Sequence, residues 1–236
     1  IRSYLQAVVG SWAAELAGQT ASALDVQART RFNEANDSHY YLVPGVIVTI
    51  MTMIGALLTS LVMAREYERG TLESLFVTPV GSGEILTAKA ATNFLLGMVS
   101  LAISMVFAAF VFDIPIRGSL LLLLAVSALF LIVALGLGLV ISTATKNQFL
   151  ACQFAIMGTF MPALMLSGFL YDILNMPPAV RAVTYLIPAR YYVTLLQTLF
   201  LAGDIPSVII PCCITLGVFA VVLMSIARLK APKSLE

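Results

Sequence analysis

The sequence predicts an all-α membrane protein, and three observations carry that prediction. Sixty per cent of its 236 residues are apolar and only 11% are charged, against roughly a quarter charged in water-soluble domains. Five apolar runs are each about 20 residues or longer, enough to cross ~30 Å of hydrocarbon at 1.5 Å per residue. The charged residues collect between these runs and leave their centres empty. Packed as a soluble fold, such a chain would expose large apolar patches, so lipid is its expected solvent and partner. A net charge of +1 without any basic stripe excludes nucleic acid as a partner.

Residues 1–42 stand apart. They carry Arg2, Glu15, Asp25, Arg29, Arg31, Glu34, Asp37 and the single histidine, His39, while Leu5, Val8, Val9, Trp12, Leu16 and Leu24 recur near helical spacing. One or two amphipathic helices and a polar linker at 33–38 are expected, as the remnant of an extracytoplasmic helical domain. The five spans follow at about 43–63, 87–112, 119–143, 149–171 and 207–227, giving a transmembrane domain over 43–230. Lys89, at the start of the second span, is placed to snorkel toward water.

Between the fourth and fifth spans, residues 172–206 are half apolar and hold Pro177, Pro178, Pro188 and Pro206 with Tyr185, Tyr191 and Tyr192. Neither half is long enough to cross, and the prolines forbid one continuous helix. Two short helices that dip into the membrane and return are expected here. The tyrosines would lie at headgroup depth, with Arg181 and Arg190 at the water edge. Residues 231–236 form a polar tail whose Leu235-Glu236 resembles a cloning scar, and it is set aside.

Orientation follows from lysine and arginine bias. With the loop 64–86 inside, the cytoplasmic set is Arg65, Arg69, Lys89, Lys146, Arg228, Lys230 and Lys233. The opposite side has Arg117, Arg181 and Arg190, plus Arg29 and Arg31 in the N-terminal segment. This places the C-terminus in the cytoplasm and the N-terminal segment outside. With no export signal ahead of that segment, an upstream transmembrane helix is expected before residue 1, which would make the given chain a C-terminal fragment.

Several chemistries are excluded by what the sequence lacks. No G-x-x-x-x-G-K-[ST] loop is present to cradle ATP phosphates, and no H-E-x-x-H or C-x-x-C offers metal ligands. No catalytic site, bound cofactor or metal is expected on this chain. Cys152, Cys212 and Cys213 lie inside apolar runs and read as small hydrophobes. Gly136-Leu137-Gly138, deep in a span, marks close helix packing.

The informative polar segment is 65–79. Arg65, Glu66, Glu68 and Arg69 follow the first span directly, and Gly70 interrupts. Thr71 can cap a new helix, with Glu73 complementing its positive end. Leu72, Leu75 and Phe76 share a face, and Pro79 stops the helix. An amphipathic cytoplasmic helix is expected. A helix seeking anionic lipid would be rich in Lys and Arg, whereas the three glutamates favour a protein partner. Ser82 then caps the second span. Within the spans, Asn93, Gln148, Gln153, Thr159 and Ser167 are polar. Hydroxyls in helices mostly bond their own backbone, which leaves Asn93 and Gln153 as candidates for a translocation path.

The segment Arg65-Glu66-Tyr67-Glu68-Arg69-Gly70-Thr71-Leu72-Glu73, continuing to Val77-Thr78-Pro79, resembles the first cytoplasmic loop of type-two permeases of ATP-binding-cassette exporters. Leu166-Ser167-Gly168-Phe169, Asn175-Met176-Pro177 and Leu186-Ile187-Pro188-Ala189-Arg190-Tyr191 resemble that family's extracellular re-entrant region. Tyr41-Leu42-Val43-Pro44-Gly45 resembles the start of its second span. The resemblance covers about residues 29–230.

It implies a six-helix subunit in the intact chain, paired with a second permease subunit as a homo- or heterodimer and resting on cytosolic ATPase subunits that hold ATP and Mg. Segment 65–79 would be the coupling helix, with Arg65, Glu66, Glu68, Arg69, Gly70, Thr71 and Glu73 as coupling residues. Ser167, Gly168, Pro177, Pro188 and Tyr191 would shape the re-entrant region. Members with a large insertion after the first helix work with a periplasmic adaptor and export drugs or other amphiphiles, which implies a bacterial inner membrane. The alternative, an ATP-independent carrier or channel, needs buried ionisable groups or inverted repeats with broken helices. The sequence offers neither.

Overall fold

The computed structural model describes residues 39–70, 82–114 and 117–230. The expectations for residues 1–38, for the helix beginning at Thr71 (with Thr71 and Glu73) and for the tail 231–236 lie outside the described residues. Five helices among the described residues are long and apolar enough to cross a membrane. Helix α1 (residues 39–68) joins two α-helical stretches, His39–Thr52 and Thr59–Glu68, through a π-helical segment, Met53–Leu58. Helix α2 is Ser82–Phe110 and α3 is Leu120–Thr145. Helix α4 (residues 148–166) has a π-helical segment at Ile156–Phe160. After a short 3₁₀ turn at Ile173–Asn175 come α5, Pro178–Thr184, and α6 (residues 188–202), whose last turn, Thr198–Ala202, is again π-helical. Helix α7, Pro206–Lys230, closes the bundle.

The helix most deeply built into the bundle is α3, which packs against α7, α1, α2 and α6. Its Leu123, Phe130, Leu131 and Val133 are buried with Met51 of α1, Leu101 of α2, Leu196 and Phe200 of α6 and Leu216 of α7. Small residues permit the close approach. A side chain at Gly138 would meet the carbonyl oxygen of Ala56 at 2.7 Å, and one at Gly55 would meet Ala134 Cβ at 2.4 Å. The glycines of the third span are packing contacts, as their position in an apolar run implied. Large apolar side chains stand exposed on two helices: Leu95, Val99, Ile103 and Phe110 of α2, and Ile214, Val218 and Val221 of α7.

The structure shifts two predicted boundaries. The first span was expected to stop at 63, but α1 continues to Glu68 and ends where Gly70 adopts a positive φ of 66°. Arg65, Glu66 and Glu68 therefore belong to the last turn of a long helix, so the short helix predicted over 65–79 does not begin at 65. The fourth span was expected to reach 171, but α4 stops at Leu166. Gly168 at φ +89° turns the chain, and Phe169 folds back onto α1. An added Cβ at Gly45 would lie 1.8 Å from the Phe169 ring.

The segment between α4 and α7 forms two short helices separated at prolines. Pro177 and Pro188 flank and begin them, since the ring's fixed φ suits a first helical turn. One expectation fails here. Tyr192 does not lie at a headgroup surface; it is fully buried. Its ring stacks on Phe130 at 4.1 Å and its hydroxyl donates to Ser127 Oγ at 2.8 Å. With that partner, an aromatic residue can be buried without stranding its polar atom.

Candidate functional site

The ends of α1, α2, α3 and α4 meet at one pole of the bundle. The connection from α3 to α4 is only Lys146 and Asn147. Lys146 takes a left-handed conformation, φ +50°, and its N–H donates to the Ser142 carbonyl. Asn147 is extended and its Oδ1 accepts from the Leu150 N–H at 3.1 Å, capping α4.

The last turn of α1 reaches two neighbouring helices from this pole. Glu66 Oε1 pairs with Lys89 Nζ of α2 at 2.6 Å. Glu68 Oε2 accepts from the backbone N–H of Gln148, the first residue of α4, at 2.9 Å. Arg65 Nε donates to Gln148 Oε1 at a longer 3.4 Å. Lys89, expected to snorkel, is thus held by Glu66. A carboxylate at a helix N-terminus fills an orphan donor and meets the positive end of the helix dipole. Exposed contacts of this kind contribute about 0.3–1 kcal/mol each. Arg69 is exposed at the end of the helix.

Asn93 is buried, and its Nδ2 donates to Thr59 Oγ1 of α1 at 3.0 Å. It bridges two helices. Gln153, by contrast, is exposed on α4 beside Phe154, Met157, Gly158 and Met161. The two candidates for a translocation path are therefore not brought together. Thr52, Ser142 and Thr159 each donate to a backbone carbonyl one turn back, as expected of hydroxyls in helices.

The opposite pole is stitched by backbone. Gly118 N–H donates to the Leu199 carbonyl at 2.8 Å, Arg117 Nη1 to the Leu201 carbonyl at 3.2 Å, and Ser119 N–H to Asp204 Oδ1 at 3.0 Å. Arg181 donates to the carbonyls of Ile173 and Met176. Arg190 donates to Thr184 Oγ1 and lies over the Tyr185 ring, and Tyr191 donates to the Tyr185 carbonyl. Ser167 is buried and its hydroxyl has no hydrogen-bond partner among the described residues.

An apolar cavity of about 90 Å³ lies among α1, α3, α4 and α6, lined by Thr52, Phe130, Gly158, Thr159, Pro188 and Ala189. It is far below the roughly 300–1,000 Å³ of sites for drug-sized molecules, so no such ligand fits in this cavity. Sequence reasoning missed Gln148 as the partner of Glu68 and Ser127 as the partner of Tyr192. The signal available for the first was Asn147, a capping residue directly before an apolar run.

Residues 1–229 match the family described as "ABC-2 family transporter protein". Over 240 aligned residues, covering all of this chain, it is 45% identical to the "Probable multidrug ABC transporter permease YbhS" of Escherichia coli K12 and spans 64% of that relative's length. Similarity extends to the E. coli permease YbhR, 29% identical over 84% of this chain and 54% of the relative. The E. coli "Inner membrane transport permease YhhJ" is 27% identical over all of this chain and 63% of the relative.

Proposed function

The chain belongs to the ABC-2 transporter family, and from that premise we propose that it is the membrane-embedded permease part of an ATP-driven exporter of drugs or other amphiphiles. The observation that carries this reading is the 45% identity along all of the chain to a relative named as a multidrug permease. Membership of the family implies an ATPase partner, and in this reading ATP and Mg are held by a separate cytosolic subunit. In this reading the pole bearing Glu66 and Glu68 and the C-terminus face the cytoplasm of a bacterial inner membrane. The hairpin of α5 and α6 is re-entrant from the outer side, where a periplasmic adaptor would dock.

The exposed face of α4 supports a second permease subunit. The exposed large residues of α2 and α7 are aliphatic and Phe side chains suited to lipid, whereas the exposed face of α4 mixes Gln153 with Met157, Met161 and Met165. A polar amide costs free energy against hydrocarbon, and methionines adapt to varied apolar contacts. A partner subunit and the substrate path between the two copies suit this surface better than acyl chains do. Closure of the ATPase pair would act on the permease through segment 71–79 and turn the paired permease outward.

The test uses inside-out vesicles containing the full-length protein with its ATPase. ATP-dependent uptake of a fluorescent cationic dye that requires both subunits is expected. Uptake driven by a proton gradient alone, with the ATPase absent, would establish the secondary-carrier alternative instead.

A further inference from the structure

We infer that the cavity among α1, α3, α4 and α6 is a binding site for one small aromatic ring bearing a hydroxyl, the phenol class. The pocket lies inside one chain and needs neither a second subunit nor an ATPase, so it stands or falls apart from the exporter reading. Thr52 directly precedes the π-helical segment of α1, and Gly158 and Thr159 belong to that of α4. These two segments pack against one another, and all three residues line the cavity. A π turn widens the helix and breaks the regular ridges of side chains, so two of them side by side interrupt close packing. Such turns recur at functional sites. On the α3 and α6 side the wall is stiff. Phe130 is stacked on Tyr192, whose hydroxyl is held by Ser127, and Pro188 fixes the first turn of α6.

The chemistry of the wall selects the occupant. Among the described residues lining the cavity, only Thr52 and Thr159 have polar side chains. Both are buried, and both hydroxyl protons are already given to carbonyls of their own helices, Val48 at 2.8 Å and Ala155 at 2.6 Å. Toward an occupant each oxygen can therefore only accept. A ring with one O–H donor matches an apolar wall that carries acceptors. An anion brings no donor, and an ammonium would exchange its hydration for two neutral acceptors. At about 90 Å³ the space is smaller than the ~150 Å³ of an engineered apolar cavity that takes benzene. Its rim is open, however, since Gly158 and Leu186 are exposed, and a ring can leave one edge in that mouth.

The experiment titrates the full-length protein, purified in detergent with its partner subunits, with 4-fluorophenol and follows the fluorine NMR signal. Fluorobenzene, nearly the same size without the donor, is titrated alongside, and empty micelles correct both for partition into detergent. A saturable shift with a midpoint on the order of 1 mM is expected for 4-fluorophenol, with fluorobenzene about fivefold weaker for want of one hydrogen bond. Thr52→Val together with Thr159→Val keeps the shape and removes the acceptors. It should weaken 4-fluorophenol about fivefold and leave fluorobenzene unchanged. A side chain begun at Gly158 meets nothing within 4 Å, so Gly158→Phe can crowd the rim without displacing the floor and should weaken both probes about tenfold. Partition no different from that of empty micelles overturns the site. Saturable binding that none of these substitutions changes places the ring elsewhere and overturns it too. Equal midpoints for the two probes on the unaltered protein overturn the phenol class, a comparison that holds even where a variant does not fold. No transport is measured, so any of these failures leaves the exporter reading untouched.

Discussion

At the hairpin pole Phe169 lies so close to α1 that not even a methyl group fits at Gly45, whereas at the charged pole Glu66 and Lys89 meet with 24% and 28% of their side chains exposed. The first pole is held by shape and by the backbone hydrogen bond from Gly118 to Leu199, with the Asp204 carboxylate accepting from the Ser119 N–H beside it. The second is held by side chains that water can replace at little cost. Steric contacts are bistable and hard to exchange, while exposed polar links are weak and easily remade. The difference locates the rigid and the adjustable halves of one bundle, and it assigns the adjustable half to the side where an ATPase would act.

The largest effect should come from Phe169→Ala, which empties the site beside Gly45 and is expected to destabilise the full-length protein by about 3–5 kcal/mol. Chemical denaturation in detergent measures this; a cost under 1 kcal/mol would mean the hairpin pole is not sterically fixed. Next, Gly45→Ala should cost about 1–3 kcal/mol by overpacking. Combining it with Phe169→Ala should cost less than the sum of the two, and strict additivity would break the claim that they touch. Tyr192→Phe removes one buried hydrogen bond and should lower stability by about 1 kcal/mol, and combined with Ser127→Ala the loss should be less than the sum of the two single variants, because they share that bond. Asn93→Leu should cost only about 0.6 kcal/mol, typical of an interhelical bond inside a membrane protein. Smallest of all, Glu66→Gln is expected to change stability by no more than about 0.5 kcal/mol while reducing ATP-coupled transport. A large loss of folding from that substitution would erase the contrast between the poles.

The five spans were legible because apolar length is a local property and needs no knowledge of the fold. Their ends were less so. Arg65, Glu66 and Glu68 read as part of a separate cytoplasmic helix because they are charged, yet nothing local stops α1 before Gly70. At the other error, Ser167 to Tyr171 are apolar enough to extend a span, and hydropathy is blind to a backbone that turns at Gly168. Tyr192 was misplaced for a different reason. Tyrosine belongs equally to a headgroup belt and to a core with a partner, and the partner is Ser127, 65 residues earlier. The charged pole shows the same limit: each of its residues was singled out from sequence, but the pairing of Glu68 with Gln148 is a product of packing.

The π-helical segment Met53–Leu58 carries a further consequence for α1. A π turn inserts about one extra residue, and each residue of a regular helix advances the face by about 100°. The apolar periodicity of α1 therefore slips by one residue between its two halves, while the π turn absorbs that residue and keeps the azimuth of the distal half. Deleting one residue between 53 and 58 should therefore close the bulge into a regular α turn and leave Glu68 facing Gln148 and Thr59 facing Asn93. The same deletion in a regular α-helical stretch of α1 would turn the distal half by about 100° and separate both pairs. A single residue is thus tolerated or ruinous according to the kind of turn it is taken from.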